Sequence, residues 1–227
     1  MFKGDNNRLL VHLNKKMLPL FPLELVVYPG ERLPLHVFEK RYQQLIADCE
    51  THSISFGVPT YINKKLEYGT EVTLQKVAKR YPGGESDVVC VGTRVFRITQ
   101  FYQQYLGKLY PGGEVEFLDD KDNGAKDLQE ELLKNIAILY VELTIENPPI
   151  FDIPFVSYQV AHKVGLAMHQ EYHLLKLRSE LERLNYLIGH LKITIPVVRE
   201  MNRAKEVIKM NGHFKNFDPL DFDDFKL

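Results

Sequence analysis

Two patterns of hydrophobic and polar residues divide the chain near residue 120. Before that point, short apolar runs alternate with glycine and proline turns, which is typical of compact β-structure. After it, apolar residues recur every three or four positions, which predicts α-helices. We therefore expect an α+β protein with a small β-barrel carrying one helix over residues 1–120. A helical bundle should follow over residues 121–210, and an acidic and aromatic tail over residues 211–227.

The most informative stretch is residues 18–42, where four prolines lie among apolar residues. Pro29-Gly30 predicts a turn, and the alternation over residues 33–37 predicts a half-buried strand. From Phe38 to Cys49, apolar residues recur at helical spacing and predict an amphipathic helix. Glu39 in its first turn suits the positive end of a helix dipole.

Further β-rich runs cover residues 54–58, 70–77 and 87–99. The first should end at Pro59, because proline cannot donate to a central sheet ladder. The last is long enough for one bent strand or two short ones. Gly92 near its middle predicts a bulge or corner.

The five-residue sequence Tyr-Pro-Gly-Gly-Glu occurs twice, at residues 81–85 and 110–114. Proline followed by glycine at the two central positions favours a type II turn. We expect the same hairpin turn at both places, with the second joining strands over residues 105–110 and 114–118.

The second half predicts three helices. The first covers residues 128–143 and the second runs from residue 152 to about residue 165. The third carries a leucine-rich seam over residues 174–191 and should end at Pro196. This seam fits a dimerising coiled coil or the central helix of an antiparallel bundle. We favour the bundle, because the seam has fewer heptads than a coiled coil requires.

The composition is that of an ordinary globular protein, with 44% hydrophobic and 26% charged residues. The net charge of −1 argues against nucleic acid or an anionic membrane as the partner. No run approaches the length of a membrane helix, and the N-terminus lacks a signal-peptide pattern. Cys49 and Cys90 are far apart in sequence, which favours two free thiols in a reducing compartment. We expect a cytoplasmic location.

The chain lacks the residues that complete a phosphate-binding loop or a zinc-protease motif. Gly107-Lys108 is followed by Leu109, and Tyr102 stands where a phosphate-binding loop needs its first glycine. His169 and His173 are four apart, but no glutamate follows the first histidine directly, as a zinc protease would require. No serine lies in a context that implies activation. We expect no catalytic residue, no metal site and no cofactor.

Residues 18–42 resemble the opening of the Lon N-terminal (substrate-binding) domain family. Similar family signatures follow in the same order, and the resemblance covers roughly residues 15 to 200. They are Phe56-Gly57-Val58, Gly69-Thr70-Glu71-Val72, the run from Val91 to Ile98, the run from Ser157 to Ala161, and Arg183-Leu184. The resemblance implies a PUA-like β-barrel followed by a helical bundle. It also implies binding of unfolded or degron-bearing polypeptide. The ATPase and protease modules of Lon are missing, so we expect a stand-alone binding protein.

The leading hypothesis is a non-catalytic polypeptide-binding module that could serve as an adaptor in protein quality control. An open strand edge can pair with an extended peptide, and neighbouring apolar side chains can accept its hydrophobic residues. For Phe38 and Tyr42 simple packing in the core is the alternative, since both share the apolar face of the predicted helix. The candidate binding residues are Leu35, His36, Phe38, Glu39, Arg41 and Tyr42.

Three other hypotheses stay open. RNA binding is favoured by what the resemblance implies for PUA-like barrels, although the charge speaks against it. A hydrolase with an unrecognised site is the second. The third is a regulator or partner of full-length Lon, with the tail over residues 211–227 as a contact; this tail could also dock on its own domain or remain disordered.

Overall fold

The computed structural model describes residues 15–121, 123–151 and 157–214. It contains six strands and five helices in those ranges. The strands are β1 (Lys15–Pro19), β2 (Arg32–Val37), β3 (Phe56–Ile62), β4 (Lys65–Arg80), β5 (Ser86–Tyr102) and β6 (Gly112–Phe117). The helices are α1 (Lys40–His52), α2 (Lys126–Glu142), α3 (Tyr158–Ala161), α4 (Met168–Lys176) and α5 (Glu180–Phe214).

The strands form one antiparallel sheet that curls into a barrel. Its order is β1-β6-β5-β4-β3, and β2 pairs with the first half of β5 beside this path. The chain after β1 crosses to the other end of the sheet, where Phe21 N donates to Gly57 O at 2.8 Å and Tyr61 N donates to Leu23 O at 2.7 Å. These bonds join the two ends of the sheet. The predicted α+β fold with a small β-barrel is therefore confirmed.

The bulge predicted at Gly92 is present in the middle of β5, which is one continuous strand. Glu71 pairs with Arg94 while Val72 pairs with Gly92, so Thr93 is the extra residue. A Cβ on residue 92 would lie 2.2 Å from the carbonyl oxygen of Tyr28, which explains the glycine. The expected strand end at Pro59 was wrong. β3 continues to Ile62, and its pairing with β4 is irregular just after the proline.

Only one of the two Tyr-Pro-Gly-Gly-Glu segments forms a turn. At residues 81–85, Gly84 N donates to Tyr81 O, so Pro82 and Gly83 are the two central residues of the turn. The positive φ of 93° belongs to Gly84, which follows them. This geometry is a three-residue hairpin turn and not the expected type II turn. In the second segment, Gly112 and Gly113 belong to β6 and pair with β1. The expected second hairpin turn was wrong.

The leucine seam is divided between two helices. Leu174 lies in α4, Leu177 is extended between the helices, and α5 begins at Glu180. The helix expected to end at Pro196 instead continues through it to Phe214. Within α5, the seam residues Leu184, Ile188 and Leu191 are buried against the other helices. The bundle interpretation of the seam therefore holds for its second half.

The helical part shares its core with the barrel. Its buried cluster, drawn from α2 to α5, also includes Val26, Tyr28 and Val95 of the barrel half. α3 is shorter than expected, and the predicted helix start at residues 152–156 lies outside the described residues. The predicted tail also lies outside them, except where α5 extends to Phe214. Among the described helices, none combines the length and hydrophobicity needed to cross a membrane.

Candidate functional site

The junction between β2 and α1 presents an exposed aromatic surface. Phe38 leaves 62% of its area in solvent, the largest exposure of any aromatic residue among the exposed large hydrophobics. Its ring stacks on His36 with 6.2 Å between centroids, and His36 meets the edge of Tyr81 at 5.7 Å. Asp87 of β5 lies directly opposite His36 of β2 in the strand pairing. We call His36, Phe38, Tyr81 and Asp87 the Phe38 surface.

The structure separates the two aromatic residues that the sequence placed on one helix face. Tyr42 is 4% exposed, and its ring stacks on Phe21 with centroids 3.8 Å apart. Arg41 covers the outer face of that ring at 4.6 Å. The packing alternative therefore holds for Tyr42 and fails for Phe38, which lies two residues before α1 begins.

The backbone under Phe38 is fixed by polar contacts. Gln43 Nε2 donates to the carbonyl oxygen of Phe38 at 2.9 Å. Lys40 Nζ donates to Gly83 O at 3.0 Å and thereby connects the start of α1 to the β4–β5 hairpin. Glu39 has extended backbone geometry at the start of α1 and pairs with Arg41 at 2.8 Å. An exposed apolar side chain on a fixed backbone loses little entropy when a ligand covers it.

A hydrogen-bond network orients the polar part of the Phe38 surface. His36 Nδ1 lies 2.7 Å from Asp87 Oδ1, and the Tyr81 hydroxyl donates to Asp87 Oδ2 at 2.8 Å. These two bonds hold the pKa of the Asp87 carboxyl below its usual value. Lys79 Nζ lies 4.5 Å above the Tyr81 ring. Sequence reasoning missed Tyr81 and Asp87, because only the register of β2 with β5 brings them beside His36.

Beside the Phe38 surface, β2 is an edge strand. Among the described residues, β5 is the only strand that pairs with it. Pro34 in its middle has no N–H to donate, and such prolines occur on edges with the nitrogen facing away from the partner strand. Alternate residues share a direction, so we expect the backbone groups of Arg32 and His36 to face outward as well. Leu35 is half-buried and packs against the barrel core.

Ser55 and Lys16 form a serine–lysine contact at the barrel surface. Ser55 Oγ lies 3.0 Å from Lys16 Nζ, but it donates to Glu71 Oε1 at 2.6 Å. Burial raises the pKa of Glu71, yet hydrogen bonds from Ser55, Lys16 and Arg94 outweigh it and lower the pKa. Lys16 Nζ donates to both Ser55 Oγ and Glu71 Oε1, whereas the lysine of a catalytic serine–lysine pair must accept the proton of the serine. This cluster is a structural ion-pair network at the barrel surface.

His169 and His173 lie in α4 and have no further metal ligands beside them among the described residues. His173 packs against the ring of Tyr186 with centroids 5.0 Å apart. Within the described ranges, no group of three or more histidine, cysteine or carboxylate side chains could hold a metal ion. Cys49 and Cys90 are free and buried, and burial raises the pKa of both thiols to about 12. Such thiols are poor nucleophiles.

A cleft of about 840 Å³ lies between the barrel and the helices. His162 is one of the polar residues that line it; its Nδ1 lies 2.7 Å from Glu171 Oε1 and its Nε2 lies 3.2 Å from Glu31 Oε2. The hydrogen bond to Glu31 is the main cause that raises the pKa of His162 to about 9; burial opposes it and Glu171 adds to it. The two carboxylates come from the turn before β2 and from α4. His162 therefore connects the barrel to the helices.

Comparison with known proteins identifies relatives for most of the chain. Residues 17–192 match the family described as the ATP-dependent protease La (LON) substrate-binding domain. A solved structure titled as a Lon N-terminal domain protein from Xanthomonas campestris is 27% identical, with a TM-score of 0.61. That match covers 77% of this chain and 98% of the other.

A second solved structure shows the same fold at lower identity. It is titled as the N-terminal domain of Mycobacterium avium complex Lon protease, is 16% identical and has a TM-score of 0.59, covering 78% of this chain and 98% of the other. Neither an ATPase nor a protease domain was found along the chain.

Proposed function

Because the chain belongs to the family of ATP-dependent protease La (LON) substrate-binding domains, we propose that it binds polypeptide through the Phe38 surface and the free edge of β2. The single observation that carries this proposal is the 62% exposure of Phe38 on a backbone fixed by Gln43. A large apolar side chain in solvent contributes nothing to folding. Held in place, it is suited to bury itself against an apolar side chain of a ligand.

The Phe38 surface and the β2 edge supply complementary parts of peptide recognition. The outward backbone groups of Arg32 and His36 can bond an extended chain whatever its sequence. Phe38 and Tyr81 can accept a hydrophobic or aromatic side chain of that chain. Glu39 and Arg41 lie beside them as an exposed ion pair, so a cationic or an anionic side chain of the ligand can find an opposite charge there. We therefore propose a ligand that is extended and apolar in part, as unfolded polypeptide is.

Replacing Phe38 should separate binding from folding. We expect fluorescein-labelled, reduced and carboxymethylated α-lactalbumin to bind the intact protein saturably in a fluorescence anisotropy titration. Phe38→Ala should weaken this binding by about tenfold or more, because loss of a central anchor costs about 2 kcal/mol or more. Its thermal midpoint should not change, since the ring packs little in the folded protein.

The matched control is Leu106→Ala, which removes a side chain of 76% exposure from the β5–β6 loop. It should leave the affinity within about twofold of the intact protein, well below the tenfold that corresponds to 1.4 kcal/mol. Equal affinity of the intact protein and Phe38→Ala would overturn the proposed site. Saturable binding of labelled single-stranded RNA in place of the polypeptide would favour the RNA hypothesis instead.

We further propose that the protein acts as an adaptor in quality control, with no catalysis of its own. This proposal is supported by the binding-domain family and by the contacts of Ser55, whose hydroxyl donates to Glu71 and accepts from Lys16. Pull-down of purified full-length Lon with the immobilised protein tests it, with and without unfolded polypeptide. Recovery of Lon supports the adaptor role, and no recovery in either condition contradicts it.

A further inference from the structure

We propose that α5 pairs with α5 of a second copy of this chain, in antiparallel orientation, through an apolar stripe on its exposed side. The stripe consists of residues with large exposed areas: Ile193 at 74%, Val197 at 55%, Met201 at 55% and Ile208 at 69%. Ala204, also exposed, lies between the last two. This surface is separate from the Phe38 surface and does not depend on its function.

The spacing of the stripe keeps it on one side of the helix. Successive members are four, four, three and four residues apart, and at about 100° per residue they fall within an arc of roughly 80°. Residues 193 and 204, and residues 197 and 208, are eleven apart. Repeats of eleven residues stay aligned along a nearly straight helix. The buried face of α5, with Leu191 and Ile195, points elsewhere, so the stripe is additional to the core.

The C-terminal part of α5 needs a partner. Among the described residues, the hydrogen bond to α2 nearest the end of α5 is at Asn202, whose Nδ2 donates to Glu142 O at 2.6 Å. Beyond it, the described side chains from residue 203 to residue 209 are all exposed. A helical segment of about twelve residues is marginal in water without tertiary packing. Pairing along the stripe would supply that packing.

A second copy fits the stripe because the stripe is almost symmetrical about its own centre. In an antiparallel pair, Ile193 lies opposite Ile208 of the second copy, and Val197 lies opposite Ala204. Met201 then lies next to the two-fold axis, beside Met201 of the second copy. The large residues at the ends and the small residue between them let two identical surfaces interlock.

Charges beside the stripe fit the same register. Glu200 and Arg203 lie on one flank, both 68% exposed, and they form only an exposed pair with each other within the helix. Around the two-fold axis, Glu200 of one copy approaches Arg203 of the other, and the pair occurs twice. Such flanking pairs affect the orientation of paired helices and the choice of partner more than they affect the affinity.

The test uses the full chain in sedimentation equilibrium over a series of concentrations. We expect a reversible dimer, which Val197→Glu should weaken by about tenfold or more because a charge replaces an apolar contact. Ile150→Glu, which changes a residue of 91% exposure away from α5, is the matched control and should leave the dimer intact. A monomer at every concentration, or equal dimerisation of Val197→Glu and the intact protein, would overturn the proposal.

A charge exchange tests the register independently. Glu200→Arg gives a flank with two cations, and Arg203→Glu gives a flank with two anions. Each variant alone should dimerise more weakly than the intact protein, and an equimolar mixture should form the heterodimer. An effect confined to the pair within one helix cannot produce this selection. If the mixture dimerises no better than the separate variants, the antiparallel register is wrong.

Discussion

Phe38 and Tyr42 differ in role although they look alike in the sequence. Both lie on the apolar side of one helical pattern, but α1 begins only at Lys40, after an extended residue at Glu39. The extended backbone turns Phe38 out of the helix face and into solvent, while Tyr42 points into the core against Phe21. The position of a helix start therefore decides which aromatic residue can meet a ligand.

This difference predicts opposite effects on stability. Tyr42→Ala should lower the free energy of unfolding by about 3–5 kcal/mol, because it leaves a cavity beside Phe21. Phe38→Ala should change it by less than about 0.5 kcal/mol, as exposed substitutions do. Urea denaturation followed by circular dichroism measures both. Equal losses in the two variants would contradict the assignment of Phe38 to a binding surface.

Pro196 shows how packing at the level of an element overrides local preference. The proline removes one hydrogen bond and crowds the carbonyl four residues before it, so the sequence predicts a helix end. Packing on both sides keeps α5 continuous. Ile195 is buried, and three residues after the proline Arg199 Nε pairs with Glu142 Oε1 of α2 at 2.7 Å.

Pro196→Ala should therefore stabilise the protein. Alanine is about 3 kcal/mol better than proline inside a helix, and the greater freedom of the unfolded chain offsets about 0.4–1 kcal/mol. We expect a net gain of about 2 kcal/mol and a higher thermal midpoint in scanning calorimetry. A lower midpoint would mean that the proline is required for a bend in α5.

The contact between the barrel and α4 predicts a dependence on pH. Glu31 and Glu171 raise the pKa of His162 to about 9 in the folded protein, above the value of about 6.5 for an unfolded chain. The protonated form is thus favoured by folding. Its contribution to stability is complete below pH 6.5 and is lost as the pH rises through 9.

His162→Gln keeps a polar side chain but cannot titrate. The difference in urea midpoint between the intact protein and this variant should be largest near pH 6 and should shrink by pH 10. His169→Gln is the control, and its midpoint should follow that of the intact protein throughout. A constant difference across this pH range would show that the charge of His162 plays no part.

At the scale of the whole molecule, the barrel, the helical bundle and their order could be predicted from alternation, helical periodicity and the family resemblance. The start of β6 at Gly112, where a turn over residues 110–114 was expected, could not be predicted, because a glycine required by close packing looks the same in sequence as a glycine in a turn. Residue 112 must be glycine because a Cβ there would lie 2.4 Å from the side chain of Tyr105. The Phe38 surface was predicted in part, since Tyr81 and Asp87 join it only through strand pairing.

A buried arginine fixes the connection between the two halves of the molecule to the helices. Arg183 is 1% exposed at its side chain and pairs with Asp120, in the connection between the halves, and with Glu180. It also donates to Ser157 Oγ at 3.0 Å. Burial lowers the pKa of this guanidinium, but the carboxylates outweigh burial and raise it, so the arginine stays charged.

Arg183→Met should lower the free energy of unfolding by about 3–5 kcal/mol, because it leaves the buried carboxylate of Glu180 without its cation. Arg178→Met is the matched control, since that arginine is 55% exposed and pairs with the exposed Asp119 at 3.7 Å. The control should cost less than about 0.5 kcal/mol in the same urea titration. A similar loss in both variants would contradict the role of Arg183 as the cation that pairs with the buried Glu180.

The most direct test of polypeptide binding at the Phe38 surface is photocrosslinking followed by peptide mapping. Reduced and carboxymethylated α-lactalbumin carrying diazirine groups is bound to the intact protein, irradiated, digested and sequenced by mass spectrometry. We predict crosslinks concentrated in residues 32–41 and 79–87, which are lost with an excess of unlabelled polypeptide. Competed crosslinks confined to α5 or to the cleft around His162 would contradict the account.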